Sequence, residues 1–335
     1  MALVASFPFA QTIVRGVGPN KIRFAISFII VSVAIATLYH LLRGIDVGKV
    51  LVALKAQSPL RILIAAVLVA AGYANLICYD LFALHMIDKH KIPFRVAAFA
   101  SFTSYTIGHS LGAATLTCGL VRFRVYSFWG LNVVDITKIA FVTGMTFWLG
   151  NIFVLGGAVA YSPAALSVFD HLPDWANRLI GFTGLFVIGC YLIWLTLRPR
   201  IVGRANWRIA LPGLRRTFLQ IGIGTLDRCL ASLSIFMLLP NSPTVGFATV
   251  VVVFVLATLL GAVSHTPGSL GVVEAAILIG LPQYQREALL ATLVTFRVLD
   301  FFLPLMLATL MFGLRELRLL ARRAHGPRSD TAVTL

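Results

Sequence analysis

Charge is scarce in this sequence, and acidic charge scarcer still. Only 12% of its 335 residues are charged, and 12 Asp and Glu stand against 28 Lys and Arg. A soluble domain carries about twice that charged fraction, so an ordinary soluble enzyme is excluded. Cysteine is sparse too. Cys78, Cys118, Cys190 and Cys229 are scattered, mostly within apolar segments. They show no CxxC spacing and read as small core residues, not as a disulfide framework or a metal site. There is no HExxH, P-loop, dinucleotide fingerprint or nucleophile triad. The GHSLG stretch lacks the second glycine of a hydrolase elbow. No metal, cofactor or catalytic residue is expected.

What the chain has in quantity is apolar length. Hydrophobic residues make up 59% of it, with a mean hydropathy of +0.92. Several runs reach the roughly 20 residues that cross a bilayer as helix. The net charge of +16 does not point to nucleic acid, because the basic residues sit at the ends of apolar runs, where they set orientation. Trp129, Trp148, Trp175 and Trp207 read mainly as interface anchors. The first run, 24–42, is too long for a signal-peptide core and ends in LLRG, so it reads as a retained helix. The expected class is an all-α integral membrane protein, a polytopic helical bundle.

Full spans are expected at 24–42, 60–81, 130–154, 179–197, 217–238 and 288–312. Two more apolar regions, 94–120 and 245–281, are too long for one crossing and are broken by glycine and polar residues. Lys89, Lys91 and Arg95 precede the first; Arg122 and Arg124 follow it. Both its ends therefore read as cytoplasmic, and it must enter and return. The second must also return if the basic segment around residues 198–216 and the basic C-terminal segment are to share one side. Arg43, Lys49, Lys55 and Arg61 are the misfit, since they fall on the external side. The domain plan is a cytoplasmic N-terminus 1–21, a transmembrane domain 22–318, and a basic cytoplasmic tail 319–335 that becomes disordered. Both termini are expected in the cytoplasm, and the location is a bacterial cytoplasmic (inner) membrane.

The two breaks resemble each other. One reads SYTIGHSLG from Ser104 to Gly112; the other reads SHTPGSLG from Ser264 to Gly271. The same shift superposes the flanking spans, so two halves, about 22–160 and 178–314, form an inverted repeat. Broken helices near the midplane are the binding elements of such transporters, and irregular backbone survives there only beside protein or a wet cavity. Gly108, Gly112, Pro267, Gly268 and Gly271 make the turns. Ser104, Thr106, His109, Ser110, Ser264, His265 and Ser269 can face a headgroup, and Arg122 and Arg124 can attract its phosphate. Arg122 and Arg124 read equally as topogenic anchors, and the two histidines as hydrogen-bonding turn residues.

Charge at bilayer depth is costly and therefore paired or functional. Asp227 and Arg228, Arg297 and Asp300, and Asp135 and Lys138 fall in expected spans. The last two pairs have helical i, i+3 spacing and could neutralise themselves. Glu274 lacks a local partner, and a pair with Arg297 across the hairpin and final helix is expected.

The stretch SYTIGHSLGAATLTCGLVRFRVYSFWGL with ITKIAFVTGMTFWLGN resembles the flippase region of the bacterial lysylphosphatidylglycerol synthetase/flippase MprF. PGSLGVVEAAIL with FRVLDFFLP is similar to the PGGxGxxE segment and arginine-bearing final helix of that family. The resemblance runs over most of 21–318, with Ser269 in place of the family's second glycine. It implies a stand-alone lipid flippase region moving an aminoacylated or other polar-headed phospholipid between leaflets, without the synthetase domain and hence not an enzyme. The alternatives are a non-transporting subunit that scaffolds a separately encoded lipid-modifying enzyme, and a small-solute or ion carrier. A homo-oligomer fits any of these.

Overall fold

A computed structural model describes residues 47–89, 91–110, 114–197, 201–204, 207–264 and 266–324. The expected first span, the N-terminal segment, Gly112, His265 and the last part of the tail lie outside the described residues. The chain runs through α1 (Val47–Lys55), α2 (Pro59–Met86), α3 (Phe94–Ser110), α4 (Ala114–Tyr126), α5 (Val133–Tyr161), α6 (Ala164–Asp170) and α7 (Asp174–Leu197). It continues through β1 (Ile201–Arg204), β2 (Trp207–Ala210), α8 (Leu214–Leu238), α9 (Phe247–Ser264), α10 (Val272–Gly280), α11 (Arg286–Arg297), a π-helical turn (Val298–Phe302) and α12 (Leu303–Ala324). Among the described residues, six helical stretches are long and apolar enough to cross a membrane. Five are expected spans; the sixth is α9, the first arm of the second break.

Both breaks are helical hairpins. Side-chain contacts define two ends of the bundle and show where each hairpin enters. At one end Arg216 reaches the Met86 sulfur, Lys89 meets Asp135 at 3.6 Å, and Arg315 lies over the rings of Phe99 and Phe128. This end gathers the start of α3, the finish of α4 and the C-terminal part of α12, so it is the strongly basic end. At the opposite end Arg61 donates to the Leu239 carbonyl, and the Ser162 and Thr249 hydroxyls meet at 3.3 Å. The α3–α4 hairpin enters from the basic end. The α9–α10 hairpin enters from the opposite end, where Gly280 touches Phe169 of α6.

The contacts between the two expected halves run in opposite senses. Their second spans, α2 and α8, lie against each other and run antiparallel. Ser234 bonds the Ala65 carbonyl near one end, and Asn75 bonds the Ile223 carbonyl farther along. The hairpin arm α3 packs against α12, the last span of the other half, and α9 packs reciprocally against α5. Two large apolar cores lie toward the two ends. One joins Phe82, Ala97, Val125, Ile136 and Ile139 toward the basic end; the other joins Ile235, Phe254, Ile277, Leu289 and Phe296 toward the opposite end.

Small residues fix how closely the central helices approach, as is usual where lipid supplies no hydrophobic drive. Gly150 of α5 and Gly224 of α8 bring their backbones into direct contact. Gln220 seals that seam by donating to the Thr146 hydroxyl at 3.0 Å.

Four local features differ from expectation. The basic segment before α8 holds an antiparallel β-hairpin, with Ile201 opposite Ala210, and Ile209 is buried against the first-half core. The α5 span begins at Val133, so Asp135 is not at bilayer depth. It closes a capping box with Asn132 at the helix start, which satisfies end-turn donors. Its ion pair is with Lys89, not with Lys138. Finally, α12 stays helical to Ala324, past the boundary at 319.

Candidate functional site: a lateral groove behind the second re-entrant turn

The chain leaves α9 at Ser264 and re-enters helix at Val272. Between them Gly268 has φ 61°, Ser269 φ 52° and Gly271 φ 82°. Left-handed backbone of this kind is natural to glycine and costs a serine about 1–2 kcal/mol. It also leaves carbonyl and N–H groups without helical partners inside the bundle. Arg297 and Glu274 supply them. The Arg297 Nε donates to Glu274 Oε1 at 2.6 Å, Nη1 to the Gly268 carbonyl at 2.8 Å, and Nη2 to the Ser269 carbonyl at 3.4 Å. The other carboxylate oxygen accepts the Gly271 N–H at 2.7 Å. The expected Glu274–Arg297 pair is present, and it does more than neutralise: the guanidinium fork holds the turn shut. Gly268 has a further constraint, because a Cβ there would meet the Phe301 ring at 2.8 Å.

A cavity of about 190 Å³ opens sideways between α10, α11 and the π turn, lined by Leu290, Leu293, Val294, Val298 and Phe302, with Glu274 and Arg297 at its inner wall. Val294, Val298 and Phe302 are each nearly half exposed, so the opening lies on the outer surface of the described bundle. The π turn shapes it. Its i→i+5 bond, Leu303 N–H to the Val298 carbonyl, disrupts the ordinary ladder, as such turns often do at functional places. Tyr73 of α2 then donates to the Asp300 carbonyl at 2.8 Å.

Two more charged groups lie inward. Asp227 accepts from Arg228 Nε at 2.9 Å and from the Tyr79 hydroxyl at 3.4 Å; Arg228 also lies over the Phe147 ring. Asp80 accepts from Arg122 Nη2 at 2.6 Å and Nε at 3.2 Å, and from the Tyr126 hydroxyl at 2.9 Å. Arg122 is 2% exposed and sits 4.7 Å over the Tyr105 ring. That corrects its expected role as a phosphate-attracting group, since its fork is buried and taken. Arg124 remains at the basic end, over Phe128. The expected hydroxyl ligands are turned to their own backbone: Ser104, Thr106, Ser110 and Ser264 donate to carbonyls three or four residues earlier. His109 Nδ1 lies 2.8 Å from the Tyr105 carbonyl. Asp80, Tyr73, Tyr79, Tyr105 and Tyr126 are interior polar groups that the sequence reading missed.

Two known proteins are similar to this chain over most of its length. A Synechocystis protein, "Uncharacterized protein slr0712", is 32% identical over 257 residues, covering 76% of this chain and 79% of the relative. The chain belongs to the slr0712 family. The "Inner membrane protein YbhN" of Escherichia coli is 28% identical over 280 residues, covering 82% of this chain and 86% of that protein. No family model matches the sequence. With the apolar helices, these relatives make this slr0712-family chain a multi-pass inner-membrane protein. The MprF-type assignment is finer than these matches show.

Proposed function

We propose that the protein moves a polar-headed phospholipid between the leaflets of the inner membrane. The observation that carries this reading is the lateral groove. Its apolar wall fits an acyl chain and its opening faces the bilayer, while the Glu274–Arg297 pair stands directly behind it. A soluble-solute carrier would have little use for an apolar side entrance. The inverted halves, with broken helices entering from opposite ends, are the frame on which alternating access is built.

On this reading the basic end is cytoplasmic, and Arg124 and Arg315 draw lipid phosphate to it. Opening of the Arg297 clamp admits a headgroup beside the turn while the chain stays in the groove. MprF-like flippase activity is the specific form this takes. The protein is not an enzyme and acts on membrane phospholipid, with a separately encoded lipid-modifying enzyme as supplier. The scaffold alternative has no comparable observation in its favour.

The test is a headgroup-resolved leaflet assay in proteoliposomes. Wild-type protein is compared with Val294→Trp, which fills the groove from its lipid-facing side. Movement of labelled phospholipid by wild type and its loss in the variant support the reading. Absence of movement in well-folded wild type, or movement unaffected by the tryptophan, overturns it.

A further inference from the structure

Away from the two ends, the described interior holds four carboxylates: Asp80, Asp227, Glu274 and Asp300. The first three each own an arginine, namely Arg122, Arg228 and Arg297. Asp300 has none. Arg297 lies three residues earlier, but its fork is committed to Glu274 and two turn carbonyls. The Tyr73 hydroxyl donates to the Asp300 main-chain carbonyl, not to its carboxylate. Among the described residues, no donor bonds that carboxylate. The groups whose charge it senses are Arg297 on α11 and Arg228 and Asp227 on α8. Tyr73 faces it from α2, with Thr106 of α3 beside that tyrosine; Glu274 of α10 stands behind Arg297.

Among the described residues, four acids against three guanidiniums leave one surplus negative charge within the bundle. An uncompensated charge there is strongly unfavourable, and a carboxyl group escapes that cost by binding a proton. Its position lets this matter mechanically. It sits in the π turn, between the clamp on the re-entrant turn and the Asp227–Arg228 pair of the other central helix. Two residues of this turn, Val298 and Phe302, line the groove.

We propose that Asp300 is a proton-binding site through which the transport cycle is coupled to the proton gradient. With the turn clamped, Asp300 is a neutral acid. When the groove opens and water reaches the π turn, the proton leaves to that water and the carboxylate remains. Reclosure requires a proton to be taken up from whichever side the site then faces. No other reactant is needed. The coupling rests on the lipid-movement reading; the proton site itself does not.

Infrared difference spectroscopy on the full chain in lipid nanodiscs tests the site. A protonated carboxyl C=O band is expected in mildly acidic buffer. It should titrate to the carboxylate as pH rises, disappear in Asp300→Asn, persist in Asp135→Asn and shift in Asp300→Glu. Lack of that band in wild type, or its survival in Asp300→Asn, overturns the proposal without reference to lipid. Proteoliposomes carrying a headgroup-labelled phosphatidylglycerol test the coupling. One pH unit across the membrane is about tenfold in proton activity. With one proton per lipid it should shift the label's leaflet ratio up to about tenfold, and in Asp300→Asn not at all. Label that moves in wild type but ignores the gradient, or follows sodium instead, overturns the coupling. Label that does not move at all, with the titrating band intact, sinks the lipid reading and leaves the proton site standing.

Discussion

Arg297 and Glu274 look like an ion pair that charge exchange would restore, yet the geometry says otherwise. Three of the four hydrogen bonds around them involve the broken backbone: two carbonyls accept from Arg297, and one N–H donates to Glu274. Arg297→Ala strips the carboxylate of its cation and leaves the Gly268 and Ser269 carbonyls without donors. Breaking a buried pair costs about 3–5 kcal/mol, and each polar group left unsatisfied adds about 1–3 kcal/mol. The total approaches the whole stability margin of an ordinary fold. Glu274→Gln is milder, because the guanidinium keeps three oxygens around it; about 1–3 kcal/mol is expected. The exchange Glu274→Arg with Arg297→Glu would point a carboxylate at two carbonyls and a guanidinium at an N–H. It should be at least as damaging as Arg297→Ala. The assay is residual monodisperse protein after heating in detergent, with Arg297→Lys between the extremes. Recovery of wild-type stability in the exchanged double variant would refute the turn-clamp argument. So would equal effects of Arg297→Ala and Glu274→Gln.

Other consequences are simpler to check. Gly224→Val should separate α5 from α8 and cost at or above the usual 1–3 kcal/mol of overpacking, because the intruding atom meets backbone. Gly222→Val, which meets nothing within 4 Å, should leave thermal stability nearly unchanged. Arg122→Ala should destabilise by about 3–5 kcal/mol through the stranded Asp80. Arg124→Ala should weaken retention of anionic lipid, read by native mass spectrometry. Single cysteines at positions 91 and 215 should label from one side of sealed vesicles, and those at 174 and 286 from the other.

Long-range architecture was legible because a bilayer imposes rules that the sequence must obey throughout. Apolar runs of span length, with Lys89, Lys91, Arg95, Arg122 and Arg124 around the first break and the basic segments at 198–216 and the C-terminus around the second, pointed to both hairpins. The Glu274–Arg297 pair could be read because an isolated acid in a span demands a partner. Asp80 could have been found by the same reasoning, since it lies within α2. Its nearness to the expected span end disguised it, and its partner Arg122 looked like an ordinary basic anchor. Asp135 was misplaced although Asn132 three residues earlier spells a cap; apolar length alone had put the span start too early. The β-hairpin hid behind its charge, although Ile201 and Ile209 carry the alternation of short strands. The π turn leaves no residue signature, and the Tyr73 hydroxyl that meets its Asp300 carbonyl is distant in sequence.

The two hairpins, alike in sequence, are held in unlike ways, and this locates where motion can arise. In the first, the arginine sits on the returning arm and reaches an acid on a neighbouring span, with Tyr126 and the Tyr105 ring completing a buried strut. Breaking it would expose four groups to a dry interior at once. In the second, the acid sits on the returning arm and the arginine on the neighbouring helix, both about one-sixth exposed, and their bonds run to the turn itself. That clamp lies beside the lateral groove, next to a π turn whose acid has no ion-pair partner among the described residues. A headgroup or water entering there replaces the lost hydrogen bonds as they break, so the barrier to opening is lower than at the first hairpin. On the proposed lipid-movement reading, the first hairpin is the fixed wall of the pathway and the second its moving part, a division that the similar motifs conceal.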